Sequence, residues 1–325
     1  MTFHFKPIAI AASLVALLAA PAAADDVTLR YLSDSGGLDA SELADQLGYF
    51  KGTGITFKDL GFAQGGPQSL FALAGGSVDI GGAATPAVLN AIASGNDFVI
   101  AYPSNGINNE VHSSFEVLPG SPIKGIKDLV GKKIAVNTLG AHLDYAIREA
   151  FHSVGLPENS AQLVVVPGPQ LEQVLRSHQV DVAAFGYWQT TFEGAANQHG
   201  KLTTVFTDTQ VLGDIAGGFT VLRRDWVNAH PEAAKIYIQQ SARALDYARE
   251  HPAETKQIIA KVLKERGENP DIAQYFTGFG VRPGGLPTLR DVQFWIDILV
   301  RSGKLKADQL SAKNLLLLTG SAQGS

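Results

Sequence analysis

Gly66-Pro67-Gln68, followed ten positions on by Val78-Asp79-Ile80, recurs 102 positions along the chain as Gly168-Pro169-Gln170 and Val180-Asp181-Val182. Upstream, Leu38-Asp39 opens a helical stretch, and Leu143-Asp144 opens a comparable one 105 positions later. Each copy reads strand, Gly-rich loop, helix, strand, Gly-Pro-Gln, helix, short strand. That order is a parallel α/β layer. Two such layers in one chain predict two lobes, and two lobes make a cleft.

Working outward, Val27 to Leu32 is the first strand and Ser33 to Gly37 a loop of small polar residues. Leu38, Leu43 and Leu47 fall at helical spacing, with Gly48 as the stop. Ile55 to Leu60 is a second strand. Gly61 to Gly66 is a loop, with Pro67 in the first turn of the next helix. Val78-Asp79-Ile80 is a short buried strand, Gly81 to Ala84 follows it, and Thr85-Pro86 reads as an N-cap with Pro at N1. Phe98 to Tyr102 is the next strand. The chain is expected to cross near Val111 to Val117. The second lobe then holds strands at Lys133–Val136, Leu163–Val166 and Val182–Phe185, with a helix from Gly140 to about Val154. Val205-Phe206 and Gly218 to Leu222 read as strands leading back to lobe one. Beyond Trp226 the chain is helical. Ala234, Ile238, Ala242, Leu245 and Ala248 form the apolar stripe of one long helix. Further helices are expected from Pro252 and over Thr288–Ser302.

The N-terminus has its own logic. Lys6 precedes the apolar run Ile8 to Ala20, and Ala22-Ala23-Ala24 supplies small residues before Asp25. This is the pattern of a cleaved export signal, so residues 1–24 are expected to be removed. The apolar run is short for a bilayer span, which needs about 20 residues. The chain has no cysteine, which excludes a lipid-anchored thiol and disulfide staples. With 31 Asp and Glu against 26 Lys and Arg, the net charge of −5 argues against a phosphate-tracking nucleic-acid surface. It leaves room for a small anion held locally by helix N-termini.

Several pieces together carry a family resemblance. They are Leu47-Gly48-Tyr49-Phe50, Gly65-Gly66-Pro67-Gln68, Gly76-Ser77-Val78-Asp79-Ile80-Gly81, the run Ile126 to Val136, His230-Pro231-Glu232 and His251-Pro252-Ala253-Glu254. In their order and spacing the chain resembles the periplasmic solute-binding proteins of ABC importers, in the nitrate/sulfonate/taurine-type group. The resemblance implies a two-lobed type II periplasmic-binding-protein fold: two parallel-sheet lobes joined by a two-crossing hinge, with a ligand cleft between. It implies lobe one from 25–112 plus 214–325 and lobe two from 113–213. It further implies a monomeric, periplasmic, non-catalytic protein that passes a small organic anion, sulfonate- or taurine-like, to an inner-membrane permease. One departure stands out. The family often has a Trp-Asp-Pro-type run after the second copy's strand. Here it is Phe185-Gly186-Tyr187-Trp188-Gln189, so the family's contacts there do not carry over.

Ligands of open parallel sheets bind at the carboxyl ends of strands, near helix N-termini. That rule selects Ser35, Gly36, Gly37, Gln64, Gly66, Gln68 and Thr85 from lobe one. From lobe two it selects Thr138, Gly140, His142, Tyr187 and Trp188, and from the return crossing Asp214 and Gly218. Each has a plainer alternative. The glycines serve turns, Thr85 caps a helix and His142 sits on an exposed first turn. Tyr187 and Trp188 pack between lobes, and Asp214 is solvated surface. Catalytic or metal-binding patterns are thin: no HExxH, no P-loop, no nucleophile elbow. No cofactor or metal is expected. The enzymatic alternative is a lyase-type protein on the same fold, chorismate-derivative dehydratase-like or pyrimidine-synthase-like. The latter carries a cysteine-rich signature that this chain lacks.

Overall fold

In a computed structural model the described residues are 26–318 except Gln64. The export signal and the start at Asp25 lie outside them. The first run of elements is β1 (Val27–Ser33), α1 (Ala40–Gln46), β2 (Ile55–Phe62), α2 (Gly66–Ala74), β3 (Ile80–Ala84), α3 (Thr85–Ala93) and β4 (Phe98–Ile107). The second is β5 (Ser114–Val117), β6 (Lys133–Val136), α4 (His142–Ser153), β7 (Gln162–Val165), α5 (Leu171–Arg176), β8 (Val182–Phe185), α6 (Thr190–Gln198), β9 (Thr203–Thr207) and α7 (Asp208–Leu212). Strand β10 (Ile215–Arg223) returns to the first group, and helices α8 (Arg224–Ala229), α9 (Pro231–Glu250), α10 (Pro252–Glu265), α11 (Leu289–Arg301) and α12 (Ala312–Leu315) complete the chain.

The duplication is visible in the sheets. β1 and β2 pair in parallel, and β10 runs between β3 and β4, antiparallel to both. The Asp79 N–H donates to the Arg30 carbonyl at 2.8 Å, which joins the two ladders in the order β2-β1-β3-β10-β4. The second sheet is ordered β7-β6-β8-β5-β9, with β5 antiparallel to its neighbours. The two orders correspond strand for strand. The fold is the α/β, two-lobed type expected. Its sheets are mixed, because each lobe inserts the strand adjoining a crossing, β10 or β5, against the direction of its own parallel strands.

The repeated Val-Asp pair explains itself here. In both copies the Asp lies one residue ahead of its strand. The Asp79 carboxylate accepts the Arg30 N–H at 3.0 Å, and the Asp181 carboxylate accepts the Lys133 N–H at 2.8 Å. Asp181 N–H in turn donates to the Lys133 carbonyl at 2.9 Å. A short strand thereby gains its first bonds from a side chain. Strands β3 and β8 begin after these residues, so the strand expected at Val78-Asp79-Ile80 instead runs from Ile80 through Ala84. Small residues are needed there: a Cβ on Gly81 would lie 2.8 Å from Leu73 of α2.

The upstream pair is less alike. Asp39 is the N-cap of α1 in a reciprocal capping box with Glu42, whereas Asp144 lies inside α4 and pairs with Arg148 at 2.6 Å. The apolar stripe of α9 is buried as its period predicts, from Ala234 to Ala248. It covers Leu29, Leu43 and Tyr102 in one core cluster. A second cluster runs through Phe219, Trp295, Tyr187 and Phe151 and so spans both sheets, while Leu171 and Phe185 belong to a third. Fully burying such side chains contributes about 1.5–3 kcal/mol each.

Candidate functional site

The carboxyl ends of strands from both sheets open onto one cleft of about 140 Å³. Lobe one supplies Asp34 to Asp39 after β1, Gly65 to Pro67 and Ser69 around the start of α2, Gly81 to Ala84 of β3, and Ser104-Asn105 of β4. The return strand adds Thr220, and Phe276 and Phe279 come from the segment before α11. Across the cleft lie Asn137, Thr138 and Ala141 after β6, Tyr187 and Trp188 after β8, and Thr190 and Thr191 of α6. The volume is below the roughly 300–1,000 Å³ of drug-sized pockets, so the occupant must be small.

Four helices aim their N-termini here. The N-caps of α2, α3 and α4 are Gly65, Ala84 and Ala141, all in the cleft wall, and α6 contributes its first two residues. None of the four carries a side-chain cap. Uncapped first-turn amides are left to solvent or to a ligand, and they favour negative charge. Helix α1 differs, since Asp39 occupies its own amides.

The lobes touch beside the cavity. The Thr191 hydroxyl donates to the Gly36 carbonyl at 3.0 Å. A Cβ on Gly36 would meet the Phe192 ring at 2.6 Å, so only glycine lets α6 settle on this loop. Tyr187 lies against β10 in the same way: a Cβ on Gly217 would fall 2.5 Å from its ring. Behind Tyr187, His142 Nε2 and the Asp208 carboxylate are 2.6 Å apart with both side chains fully buried. The His142 ring meets Tyr187 edge-on, with centroids 4.8 Å apart.

Of the residues the sequence singled out, Ser35, Gly36, Gly37, Gly66, Thr138, Tyr187 and Trp188 line this cleft. Gln68 is exposed in the first turn of α2, between the lining residues Pro67 and Ser69, and is not itself in the lining. Thr85 is fully buried as the first residue of α3, rather than its cap, and donates to the Ala216 carbonyl at 3.3 Å. His142 is not on an exposed first turn but in the core. Gly140 donates its N–H to Asp144 at 2.8 Å outside the lining. Gly218 is buried in β10, where a Cβ would crowd Ser104 at 2.9 Å. Asp214 is exposed and borders a separate groove with Arg282 and Arg249. Gln64 lies outside the described residues.

Sequence reasoning missed several polar groups of the lining, among them Asp34, Asp39, Ser69, Asn137 and Asn105. Asp34 adjoins a motif that was read, but one acid in a loop of small residues carries no periodicity. Burial pushes its carboxyl up to about 6, Asp39 adds to this, and Arg266 opposes it. Asp39 is raised as well, by burial first, against its bonds to Ser41 and the pull of Arg266. Burial, helped by Asp208 and Asp34, lifts the Tyr187 phenol well above its usual range. Among the described residues no Lys, Arg or His lines the cleft. Arg266, behind the wall, is bonded to the Gly37 carbonyl and to Glu42.

Comparison with known proteins fits this architecture. The family model described as NMT1/THI5 like matches residues 42–255. The chain belongs to the NMT1/THI5-like family. A Brucella abortus relative of this chain, 27% identical over 247 residues, is covered for 74% of its length and covers 75% of this chain. It carries only the provisional name of a binding protein. Among solved structures, the alkanesulfonate-binding protein SsuA of Xanthomonas axonopodis pv. citri, bound to MOPS, superposes with a TM-score of 0.71 at 19% identity. The match covers 90% of this chain and 99% of that one. The periplasmic nitrate-binding protein NrtA of Synechocystis PCC 6803 gives 0.68 at 17% identity, over 90% of this chain and 86% of the other. At such identities these two establish the shared fold.

Proposed function

We propose that this protein is the solute-binding component of an ABC-type importer. It works in the periplasm after loss of residues 1–24, as a monomer with lobe one over 25–112 plus 214–325 and lobe two over 113–213. It closes these lobes on a small organic solute bearing an anionic group, and a permease in the inner membrane receives the cargo. The observation that carries this reading is the convergence of four uncapped helix N-termini, two from each lobe, on one small cleft. Amide donors at helix starts suit a sulfonate, carboxylate or nitrate without any basic side chain. The names of the structural neighbours, sulfonate- and nitrate-binding, support the same class.

The binding reading has more support than the lyase alternative. The lining side chains are carboxylates, hydroxyls, amides and rings, and the one histidine considered for the site is buried behind Tyr187. A thermal-shift panel of alkanesulfonates, aminosulfonates, carboxylates and nitrate tests the reading. A ligand that binds only the folded state raises apparent stability by RT ln(1 + [L]/Kd), and the recovered ligand should be chemically unchanged. Conversion of the ligand during incubation would favour the enzyme.

A further inference from the structure

Two chain crossings join the sheets, and one fully buried polar pair sits where they meet. The first crossing runs from β4 to β5 through residues 108–113, and the second leaves α7 for β10. The Thr209 hydroxyl donates to the Asn108 carbonyl at 3.0 Å, which ties the crossings side by side. Asp208, the first residue of α7, is wholly buried. Its N–H donates to the Ser113 carbonyl at 3.1 Å, and its carboxylate accepts the Ser113 N–H at 2.9 Å. The other carboxylate oxygen lies 2.6 Å from His142 Nε2. These contacts continue to the cleft. The Ser113 hydroxyl accepts the Tyr187 N–H at 3.1 Å, and the His142 ring stands edge-on to the Tyr187 ring. His142 also meets Trp295 of α11, with centroids 5.5 Å apart, and the Trp295 indole donates to the Ala216 carbonyl of β10 at 2.9 Å. Tyr187 is thus held from behind through main chain and ring, and it lines the cavity in front. Its hydroxyl lies beside the cleft residue Ser104: a Cβ on Gly218 would fall 3.1 Å from that hydroxyl and 2.9 Å from Ser104 Oγ. Among the described residues the Tyr187 hydroxyl makes no hydrogen bond. Stability does not explain the pair behind it. Burying two ionisable groups costs solvation that their attraction seldom returns in full. His142 Nδ1 is also buried with no partner among the described residues, a further cost. What the pair supplies is a fixed direction between segments.

Resting on the solute-binding reading above, we infer that His142 and Asp208 are positioning residues for Tyr187, fixing it against β10 so that its hydroxyl donates to the bound solute. Neither side chain lines the cleft, and both are fully buried. They act through Ser113 on the Tyr187 main chain and through the imidazole on its ring. Burial, helped by Asp208 and Asp34, holds the phenol in its protonated, donating form. A phenol O–H given to an anionic oxygen is a charge-assisted bond, and a donor held in place before binding loses less freedom when the solute arrives. Ser113 and Asp208 adjoin the two crossings, so the same contacts tie the geometry of the crossings to the cleft wall.

Two readouts test this, and one needs no ligand. His142→Phe combined with Asp208→Leu replaces the polar pair by an apolar one and strands no charge. The variant should stay folded, with its melting temperature lowered by about 5 °C or less. In residue-resolved amide exchange of the ligand-free protein, the Tyr187 N–H should exchange about tenfold faster, the scale of one lost bond. The amides of β6 and β8 in the same lobe should keep their protection. In calorimetric titration with ethanesulfonate the variant should bind about tenfold more weakly, the scale of one misplaced charge-assisted bond. Tyr187→Phe should cause a similar loss. Adding the double substitution to Tyr187→Phe should then cost less than about twofold more, because the hydroxyl it positions is already gone. A Tyr187 amide that exchanges as in the parent, or only in step with β6 and β8, overturns the inference. So does an equal loss of affinity with and without the Tyr187 hydroxyl. Failure of ethanesulfonate to bind the parent counts against the small-anion reading, and amide exchange then decides the positioning role by itself.

Discussion

The two copies of the Val-Asp unit do the same structural work and face different surroundings. Asp79 and Asp181 each bond one residue of the neighbouring strand, Arg30 of β1 and Lys133 of β6, through main chain and side chain. Asp79 is also bonded by the Arg30 guanidinium at 2.8 Å and lies 3.9 Å from Arg223. Asp181 has no ion pair among the described residues and sits exposed. Burial alone would push the Asp79 carboxyl up, but the bonds from Arg30 and the charge of Arg223 outweigh it and hold the group below its usual range. A repeat can thus conserve geometry while the energetic weight of each copy is set by what packs beside it.

The largest expected difference follows directly. Asp79→Ala should cost about 2–3 kcal/mol in chemical denaturation, because charge-assisted bonds are lost and Arg30 is left unpaired. Asp181→Ala should cost about 1 kcal/mol. Equal losses would show that the backbone bond, not the arginine, carries the stability.

The cleft walls offer a second contrast, between the aromatic side of lobe two and the acidic loop of lobe one. Trp188→Ala should weaken ligand binding by about 1–2 kcal/mol, a large share of one side chain's burial. Trp188→Phe should remove most of any ligand-induced fluorescence change, since Trp226 and Trp295 do not line the cleft. Unchanged affinity in Trp188→Ala would make the ring packing only.

A smaller effect should come from Thr191→Val, which deletes the bond to the Gly36 carbonyl and so about 1 kcal/mol of contact between the lobes. Scattering profiles of the ligand-free protein should then shift toward more extended forms. No change would mean that Phe192 against Gly36 suffices to hold the lobes together.

The smallest effect is a pH signature with opposite signs in the two aspartates. Asp34 is raised in the folded protein to about 6, so its contribution favours folding at acid pH and is lost as pH rises through roughly 4 to 6. Asp79 is lowered, so its contribution is present above the usual carboxylate range and is lost as pH falls through the folded value. Melting curves across pH 3 to 7 should flatten at the upper end in Asp34→Asn and at the lower end in Asp79→Asn. The same curve in both variants would break the contrast.

How much of this was legible beforehand depends on the range of the interaction concerned. Leu38-Asp39, Gly48, the stripe from Ala234 to Ala248 and the helix from Thr288 were readable because helix period and capping chemistry act over a few residues. The repeated Val-Asp pair was readable as a duplication, and with it the two-lobed fold. Thr85 and His142 were placed near the correct strand ends yet face the core. At a helix start each residue turns the side chain by about 100°, so the right segment does not name the right face.

By itself, then, the sequence determined the two α/β layers, their helices and the ends of the strands where a cleft would open. Only the tertiary structure decided which polar groups look into that cleft. Asp34 stands where Asp39 of its own loop, Arg266 and Glu268 after α10, and Tyr187 of the second lobe come together without pairing it among the described residues. Asn137 Oδ1 is buried and has no partner among the described residues. Desolvation and unmet hydrogen bonds belong to the assembled environment of a residue, and no local pattern in the chain encodes them.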